Sequence, residues 1–339
     1  MSIGQILYQL LVRPALFTLP PERGQRVAEA VLTRSFIWRA IESYIAKPDS
    51  VLQTDLCGLK LSSPVGLAAG FDKDCRMLQS LSRLGFGYLV GGTVVAHPQL
   101  GNAKPRMVRR IRERALVNSL GFPSKGLDAV AAAIEHRRDM PATPLVMSVA
   151  GVTIEQAVTC HRKLEPLSDA IEVNISSPNT AGLRLFQEPE ELRKLLDALN
   201  EERYRPLFVK LPRYPAGEEN ALEKTLELTR VCVDTGMNGV TVANTRPVED
   251  ARLAIGRGGL SGQPLLEETV RLVEVVRKEV GEKLAINACG GISTGDDAWA
   301  VLQAGATTVQ LYTVMIYRGP LVVRDINRRL AELKKAASS

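Results

Sequence analysis

The sequence predicts an α/β fold, a (β/α)8 barrel preceded by an N-terminal helical extension. From about residue 60, eight short apolar runs alternate with helical stretches along the chain. Continuous apolar runs bounded by polar residues, Gly or Pro are typical of strands buried on both faces of a parallel sheet. Polar side chains follow the ends of these runs, at the edge where barrel enzymes build their sites. The chain has 339 residues, and a barrel takes about 250, so the length leaves room for an extension and insertions.

The first part of the chain, residues 1–47, has a helical pattern of its own. Ile3, Ile6, Leu7, Leu10 and Leu11 recur at spacings typical of one helix face. We expect Pro14 and the Pro20-Pro21 pair to divide this region into short helices, with later segments carrying Val27, Ala30 and Val31, then Phe36, Ile37, Ile41, Tyr44 and Ile45. Short apolar helices with arginines nearby either lie in a membrane interface or pack on the barrel as a lid. The pattern alone leaves both interpretations open.

The remainder, residues 48–339, contains the predicted barrel. A small hairpin over residues 50–61 is expected to cover the barrel bottom. The predicted strands are Val65–Ala68, Tyr88–Gly91, Leu145–Val149, Ala170–Asn174, Leu207–Lys210, Gly239–Val242, Leu284–Asn287 and Thr307–Leu311. Two of the intervening helices are predicted over Ala221–Thr235 and Leu265–Val280, the second ending at Gly281.

Two stretches are too long to be simple connections. Residues 94–143 separate the second and third predicted strands, and residues 246–262 follow the sixth and are rich in Arg and Gly. Both follow the carboxyl end of a strand, so we expect both to contribute to the active-site face of the barrel.

Composition excludes several functions. The net charge is only +6, and the basic cluster from Arg106 to Arg114 has no interleaved aromatic residues, which argues against nucleic-acid binding. The five cysteines form no CxxC pair and the three histidines are not grouped, so reduced thiols and no metal site are expected. No stretch of about 20 apolar residues predicts a membrane span.

The strand ends collect lysines, amides and hydroxyls, and few carboxylates. The residues concerned are Lys73, Thr93, Ser148, Asn174, Ser177, Asn179, Lys210, Asn244, Thr245, Tyr312 and Thr313. Amides both donate and accept hydrogen bonds, so this rim suits a planar anionic heterocycle. Simpler explanations also exist: Lys73 pairs with Asp72 or Asp74 at the surface, and Asn174, Ser177 and Asn179 are turn residues around a proline.

Glycines cluster late in the predicted barrel, at Gly258-Gly259-Leu260-Ser261-Gly262 and Gly290-Gly291. Loops after the seventh and eighth strands of barrels often bind phosphate through backbone N–H groups. These clusters are either ordinary turns or the phosphate site of a flavin mononucleotide, with Lys210 or Lys73 near the reduced ring.

Three segments together resemble the quinone-linked (class 2) dihydroorotate dehydrogenases. They are the runs from Ala68 to Lys73, from Gly101 to Arg106 and from Asn174 to Thr180, the last reading Asn-Ile-Ser-Ser-Pro-Asn-Thr. Asn118 through Phe122, both glycine clusters and the stretch from Arg13 to Arg23 add to the likeness, which covers nearly the whole chain.

The resemblance implies oxidation of dihydroorotate to orotate in pyrimidine biosynthesis, with a hydride passed to FMN and electrons then passed to a membrane quinone. It implies Ser177 as the base. The implied substrate-binding residues are Lys73, Asn118, Ser119, Leu120, Gly121, Phe122, Asn174, Asn179, Asn244 and Thr245. The implied FMN contacts are Ala69, Gly70, Thr93, Ser148, Asn174, Lys210, Gly262, Gly291, Tyr312 and Thr313. Residues 1–47 then form a quinone tunnel at the membrane surface with Arg109 at its inner end, and the protein lies peripherally on the cytoplasmic face of the cell membrane.

The chain also departs from the family pattern. Ser148 stands where Asn is usual, Ala150-Gly151-Val152 where Gly-Lys-Asn is usual, Ser119 where Arg is common, and Ala243 where Thr is usual. These changes motivate two alternatives, a paralogous FMN oxidoreductase with an altered substrate and a ligand-binding barrel without turnover. A soluble NAD-linked flavoenzyme is a third alternative, against which stand the apolar N-terminal helices and the absence of iron–sulfur Cys spacing.

Overall fold

The computed structural model describes residues 3–45, 47–135, 142–176, 181–214, 218, 220–242 and 244–338. Its helices in chain order are α1 (Ile3–Leu7), α2 (Arg13–Thr18), α3 (Pro21–Leu32), α4 (Ser35–Ile41), α5 (Leu78–Leu81), α6 (Leu127–Glu135), α7 (Ile154–Leu164), α8 (Pro189–Asn200), α9 (Ala221–Asp234), α10 (Leu266–Val280), α11 (Gly295–Gln303), α12 (Thr313–Arg318) and α13 (Val322–Ala337). A π-helical segment, Tyr8–Val12, joins α1 to α2.

The strands in chain order are β1 (Thr54–Leu56), β2 (Leu59–Leu61), β3 (Val65–Asp72), β4 (Tyr88–Val94), β5 (Met107–Arg110), β6 (Ala115–Asn118), β7 (Leu145–Val149), β8 (Ala170–Asn174), β9 (Leu207–Lys210), β10 (Gly239–Val242), β11 (Arg246–Glu249), β12 (Arg257–Gly262), β13 (Ala285–Cys289) and β14 (Thr308–Leu311). Eight of them close a parallel barrel in the order β3, β4, β7, β8, β9, β10, β13, β14. This confirms the predicted (β/α)8 fold.

The predicted strand bounds match closely where an apolar run ends in polar residues. Strands β7, β8, β9 and β10 have the predicted bounds, whereas β3 and β4 continue past the predicted ends by several residues. The extra residues of β3 include a register irregularity between Leu67 and Asp72. Within this stretch Gly70 adopts a positive φ of 91°, which glycine tolerates because it has no Cβ.

The hairpin of β1 and β2 covers the lower end of the barrel, as predicted. Leu56 and Leu61 are fully buried against Tyr88 and Phe208, which come from the barrel strands β4 and β9. The Cys57 thiol donates to the carbonyl of Asn238, directly before β10. The hairpin thus leaves the opposite end of the barrel as the open face.

The two long insertions meet in a sheet of their own above the open end. Strands β5, β6, β11 and β12 form an antiparallel sheet in the order β11-β12-β6-β5. Asn118 pairs with Gly259 across β6 and β12. The sequence predicted a contribution from each insertion, and the structure adds that they are hydrogen-bonded to each other.

The N-terminal helices pack on the same end of the molecule. The expected break at Pro14 is wrong, because the helical run continues from Ile3 to Thr18, with a π-helical segment directly before the turn that contains Pro14. The Pro20-Pro21 pair does separate α2 from α3. None of the described helices is long and apolar enough to cross a bilayer.

The first helical run is attached to α12 by three hydrogen bonds to consecutive residues. The Tyr8 hydroxyl donates to the carbonyl of Ile316 at 2.8 Å, and the Arg13 guanidinium donates to the carbonyl of Tyr317 at 3.3 Å. Arg318 donates to Gln5 Oε1 at 3.3 Å. The helix that follows the last barrel strand is therefore held from outside by the N-terminal extension.

Candidate active site

A cavity at the carboxyl ends of the barrel strands forms the candidate active site. It encloses about 1320 Å³, including the part open to solvent. Residues from the ends of β3, β4, β8, β9, β10, β13 and β14 line it, together with residues of β6 and β12. The barrel rim and the inserted sheet therefore form one wall around a single cavity.

A hydrogen-bonded arc of side chains crosses the floor of this cavity. Asn174 Nδ2 donates to Thr93 Oγ1 at 2.9 Å, and Thr93 Oγ1 lies 3.0 Å from Ser148 Oγ. Asn174 Oδ1 accepts from the Ser176 hydroxyl at 2.5 Å and from its backbone N–H at 3.1 Å. Asn244 Nδ2 donates to Ser176 Oγ at 2.7 Å. Because each of these groups is paired, the arc fixes the backbone up to Ser176.

Two lysines contribute positive charge to the cavity. Lys210 is buried at the end of β9, and no side chain in the described part of the chain is hydrogen-bonded to its ammonium group. Lys73 donates to the carbonyl of Gly70 at 2.7 Å. Burial lowers the pKa of Lys73, and nearby carboxylates partly offset this effect. The two ammonium groups suit the cavity to an anionic ligand, which would pair with their charge.

Among the described residues, Lys73 forms no ion pair with Asp72 or Asp74, the two partners that the simpler explanation offered. The Asp72 carboxylate instead accepts the backbone N–H groups of Arg76 and Met77, at 2.9 and 2.7 Å. Burial raises the pKa of Asp72 to about 6. Asp72 therefore orders the turn after β3, and this turn presents Lys73 to the cavity.

The other end of the cavity is built from glycines and two arginines. Gly291 has φ +81°, and a Cβ at this position would lie 2.3 Å from the N atom of Leu266, the first residue of α10. Arg114 and Arg318 line the same end as Gly262 and Gly291, and Arg318 donates to the carbonyl of Ser293 at 2.5 Å. Glycine loops at a helix start with guanidinium groups nearby suit a phosphate group.

A second, mostly apolar cavity lies under the N-terminal helices, and we call it the tunnel. It encloses about 1370 Å³ and is lined by residues of α2 and α3, by Arg109 of β5 and by residues of α12. Arg109 donates to the carbonyl of Leu19 at 2.7 Å, and its guanidinium lies 4.5 Å from the ring centroid of Phe17. Tyr312 lines both the tunnel and the active-site cavity. One aromatic side chain thus lies between the two spaces.

Most of the predicted site residues line the active-site cavity. They are Ala69, Gly70, Lys73, Thr93, Asn118, Leu120, Gly121, Phe122, Asn174, Lys210, Asn244, Thr245, Gly262, Gly291, Tyr312 and Thr313. Ser148 and Ser119 are fully buried behind the wall, so any effect of Ser148 on a ligand passes through Thr93. Ser177 and Asn179 lie outside the described residues, as does Ala243.

Sequence reasoning missed several residues that line the cavity. Arg114, Cys289, Gln310 and Arg318 belong to it, but nothing in their local sequence sets them apart. Arg114 comes from the tip of the β5–β6 hairpin and reaches the barrel only because β6 pairs with β12. Only the three-dimensional structure reveals this position. A Cβ at Gly262 would lie 2.4 Å from the carbonyl oxygen of Arg114.

The donor set fits a flavin. A planar ring with N–H and C=O edges matches the Asn174, Thr93 and Lys210 groups, and a phosphate matches the glycine and arginine end. Lys210 is suited to stabilising negative charge on a reduced ring.

Comparison with known proteins agrees with this geometry. A family model described as dihydroorotate dehydrogenase matches residues 51–333. The chain is 36% identical over 337 residues to a protein of Mycobacterium bovis named dihydroorotate dehydrogenase (quinone), covering 95% of this chain and 92% of that protein. A protein of the same name from Chloroflexus aurantiacus is 36% identical over 355 residues, with 96% of each chain covered.

Solved structures show the same likeness. The crystal structure of DHODH from Eimeria tenella in complex with ferulenol superimposes with a TM-score of 0.82 at 30% identity, covering 97% of this chain and 96% of that chain. The ligand-free form of the Eimeria tenella protein gives a TM-score of 0.76 at 31% identity, covering 89% and 94%. The fold and the site define a flavin-dependent dehydrogenase on a (β/α)8 barrel. The chain belongs to the dihydroorotate dehydrogenase family.

Proposed function

We propose that this protein oxidises dihydroorotate to orotate in pyrimidine biosynthesis, with FMN as its cofactor and a membrane quinone as the final electron acceptor. The observation that carries this proposal is the pair of cavities that meet at Tyr312, one polar and cationic, the other apolar. An anionic substrate and an apolar electron acceptor need different environments but must both reach one redox cofactor. The names of the relatives, which include the word quinone, support the second half of the reaction.

The substrate is held in the polar cavity by amides and a lysine. Asn118, Asn174, Asn179, Asn244 and Thr245 hold the ring edges, and residues 119–122 close over it. Lys73 neutralises the carboxylate, because its ammonium group is half-buried and costs free energy unless an anion accompanies it. The arc from Thr93 to Asn244 keeps the amides in fixed orientations before the substrate arrives.

Ser177 removes the proton from C5 of the substrate. A serine hydroxyl is a weak base, so it needs a site that excludes water and passes the proton on. Ser176, directly before it, is held by both Asn174 and Asn244, so the backbone is fixed up to the residue that precedes the base. Bound FMN supplies the acceptor for the hydride that leaves the substrate.

The FMN-binding residues are those at the strand ends and the glycine loops. Lys210, Gly70 and Thr93 would hold the ring, and Gly262, Gly291 and Thr313 would hold the phosphate. The arginines 114 and 318 favour a terminal phosphate over an uncharged ribityl end.

Residues 1–47 form the membrane-associating segment, and the tunnel beneath them receives the quinone. Leu10, Leu11 and Phe36 have 68%, 64% and 67% of their surfaces exposed. Apolar side chains exposed together on short helices favour an interfacial position at a membrane surface. The protein accordingly lies peripherally on the cytoplasmic face of the cell membrane.

An anaerobic titration tests the function. Purified protein is expected to be yellow, to release FMN on denaturation, and to lose its visible flavin absorbance when dihydroorotate is added. A quinone added afterwards is expected to restore the absorbance. Flavin that stays oxidised with dihydroorotate, in protein that dithionite does reduce, would exclude this substrate and favour a paralogue with an altered one.

A further inference from the structure

Helix α3 lies between the tunnel and a third cavity, which is polar. This polar cavity encloses about 1090 Å³ and is lined by charged residues of α3, of the turn after β3 and of the loop before β5. Lys73 and Leu120 line it as well as the active-site cavity. The polar cavity therefore adjoins both the substrate site and the N-terminal helices.

Glu29 lines both the polar cavity and the tunnel. Its carboxylate accepts a hydrogen bond from Gln25 Nε2 at 2.6 Å, one turn earlier on the same helix, and Gln25 also lines both cavities. Val27 and Val31 of α3 line the tunnel alone. The Gln25–Glu29 pair is thus a polar bridge through an otherwise apolar helix face.

The tunnel lining offers few other side chains that carry a transferable proton. Among the described lining residues the titratable ones besides Glu29 are Tyr8, Arg109 and Tyr312. Burial raises the pKa of Tyr8 to about 12, and burial, followed by the charge of Glu29, raises that of Tyr312 to about 12. Glu29 is the only carboxyl group among the described residues that line the tunnel. Its charge contributes to the raised pKa of Tyr312, which lines both the tunnel and the active-site cavity. Glu29 therefore lies near the inner end of the tunnel.

Quinone reduction consumes protons as well as electrons. Two electrons from the reduced cofactor convert the two C=O groups of the quinone into two C–OH groups, which requires two protons. One proton leaves the reduced cofactor with the electrons, and the other must come from the protein or from water. A lining of apolar side chains excludes water, so a proton needs a carrier across that wall.

We propose that Glu29 is this carrier and delivers one proton to the bound quinone from water in the polar cavity. The O–H bond of the Glu29 carboxyl breaks as an O–H bond forms on the quinone oxygen, and the carboxylate regains a proton from the polar cavity. Gln25 is a positioning residue that holds the carboxylate between the two spaces. This inference rests on the proposed quinone reaction and adds a catalytic residue to it.

Charged and titratable groups on several other elements line the same two cavities as Glu29. They are Tyr8, Asp72, Lys73, Asp74, Arg76, Lys104, Arg106, Arg109, Lys125 and Tyr312. On its own helix, Glu22 and Arg26 line the polar cavity. Glu22 is paired with Arg106 at 3.2 Å and with Lys104 at 3.4 Å, so it is not available to Glu29 as a proton partner.

The test uses stopped-flow mixing of anaerobic holoenzyme that was first reduced with dithionite and then exposed to a short-chain benzoquinone. For Glu29→Gln we expect quinone-dependent reoxidation to slow by about 10²-fold, within the range of general acid catalysis. The reoxidation rate of wild type should decline as pH rises, and this decline should be absent in Glu29→Gln. At saturating dihydroorotate, flavin reduction of the same variant should stay within about twofold of wild type, since Glu29 does not line the active-site cavity. The conservative Glu29→Asp variant should recover part of the reoxidation rate.

Glu22→Gln is the matched control, because Glu22 lies on the same helix but lines the polar cavity alone. Its reoxidation rate and pH profile should resemble those of wild type. The affinity of a non-reducible quinone analogue, measured by flavin fluorescence, should be the same in Glu29→Gln as in wild type, which excludes a collapsed tunnel. Unchanged reoxidation and an unchanged pH profile in Glu29→Gln would overturn the role of Glu29 alone. Reduced wild-type enzyme that passes no electrons to the quinone would overturn the proposed function with it.

Discussion

The side-chain amide of Asn244 donates to both the hydroxyl and the carbonyl oxygen of Ser176, at 2.7 and 3.2 Å. The first of these residues follows β10 and the second follows β8, so the contact joins two strand ends that are not neighbours in the barrel order. Asn244 Oδ1 also accepts from the Thr245 N–H at 2.7 Å. One amide therefore fixes the backbone beside the proposed base, Ser177.

Replacing Asn244 tests this connection. Asn244→Ala removes hydrogen bonds to a buried hydroxyl, an effect of about 1–3 kcal/mol. We expect kcat/KM for dihydroorotate to fall by roughly 10- to 100-fold, while FMN content stays near that of wild type. Steady-state kinetics and the flavin-to-protein absorbance ratio measure the two quantities. Loss of the flavin along with activity would show instead that Asn244 supports the cofactor.

The role of Ser177 can be isolated from binding. Ser177→Ala should slow anaerobic flavin reduction by dihydroorotate by about 10²- to 10⁴-fold, since it removes the base. Orotate should still perturb the flavin spectrum with a Kd close to that of wild type, because the amides that hold the ring remain. Rapid flavin reduction in this variant would remove Ser177 from the reaction.

Binding of orotate should depend on pH through Lys73. Burial lowers the pKa of this lysine, so its charge is lost at a lower pH than that of an exposed lysine. The protonated form pairs with the carboxylate of the ligand, so the affinity for orotate should fall as pH rises through this depressed pKa. Spectral titrations across the alkaline range measure the trend. Lys73→Met should bind more weakly and show a flatter profile, and an equally steep profile in Lys73→Met would assign the dependence to another group.

Substitution of Arg109 should weaken the reaction with the quinone and leave the reaction with dihydroorotate unchanged. Its guanidinium donates to the carbonyl of Leu19 and lies over the Phe17 ring, and it lines the tunnel. Arg109→Leu removes these contacts, so we expect KM for a short-chain quinone to rise by about tenfold, as for the loss of about 1.4 kcal/mol. Flavin reduction by dihydroorotate should remain unchanged. Arg252→Leu is a suitable control, because that arginine pairs with Asp250 and lines neither the tunnel nor the active-site cavity.

Membrane association should depend on the exposed leucines of the first helical run. In Leu10→Asp/Leu11→Asp, two charged groups replace apolar ones, so less protein should float with anionic phospholipid vesicles. Activity with a soluble short-chain quinone should stay near wild type. Tyr204→Asp provides the control variant. Tyr204 lies between α8 and β9, away from the N-terminal helices in the chain, and 64% of its surface is exposed. Equal flotation of all three proteins would contradict an interfacial role for residues 1–47.

The barrel was predictable because its signal is local. Strands such as Leu145–Val149 and Leu207–Lys210 are continuous apolar runs with polar ends, and such runs have few alternatives in a chain that alternates them with helices. The rim residues follow from the same logic, since parallel strands bring their carboxyl ends together. Lys73, Asn174, Lys210 and Asn244 thus line one cavity as expected.

The parts that escaped prediction depend on contacts between distant segments. The pairing of Asn118 with Gly259 joins residues far apart in the chain, and neither β6 nor β12 has a pattern that identifies its partner. Arg114 reaches the cavity through that pairing. The burial of Ser148 behind the cavity wall could not be predicted either, because the sequence of an apolar strand does not indicate the direction in which its serine points. The break predicted at Pro14 was wrong because the π-helical segment before it, Tyr8–Val12, has no recognisable signature in the sequence.

The attachment of the first helical run to α12 has a practical consequence for anyone shortening this protein. Tyr8, Arg13 and Gln5 hold Ile316, Tyr317 and Arg318, and Arg318 belongs to the wall that we assign to the phosphate. Removing the first helical run would therefore loosen the wall that we assign to the phosphate, and would also remove the proposed membrane contact. The extension behaves as a structural part of the catalytic body, and a truncated form should be supplied with excess FMN during purification before its activity is judged.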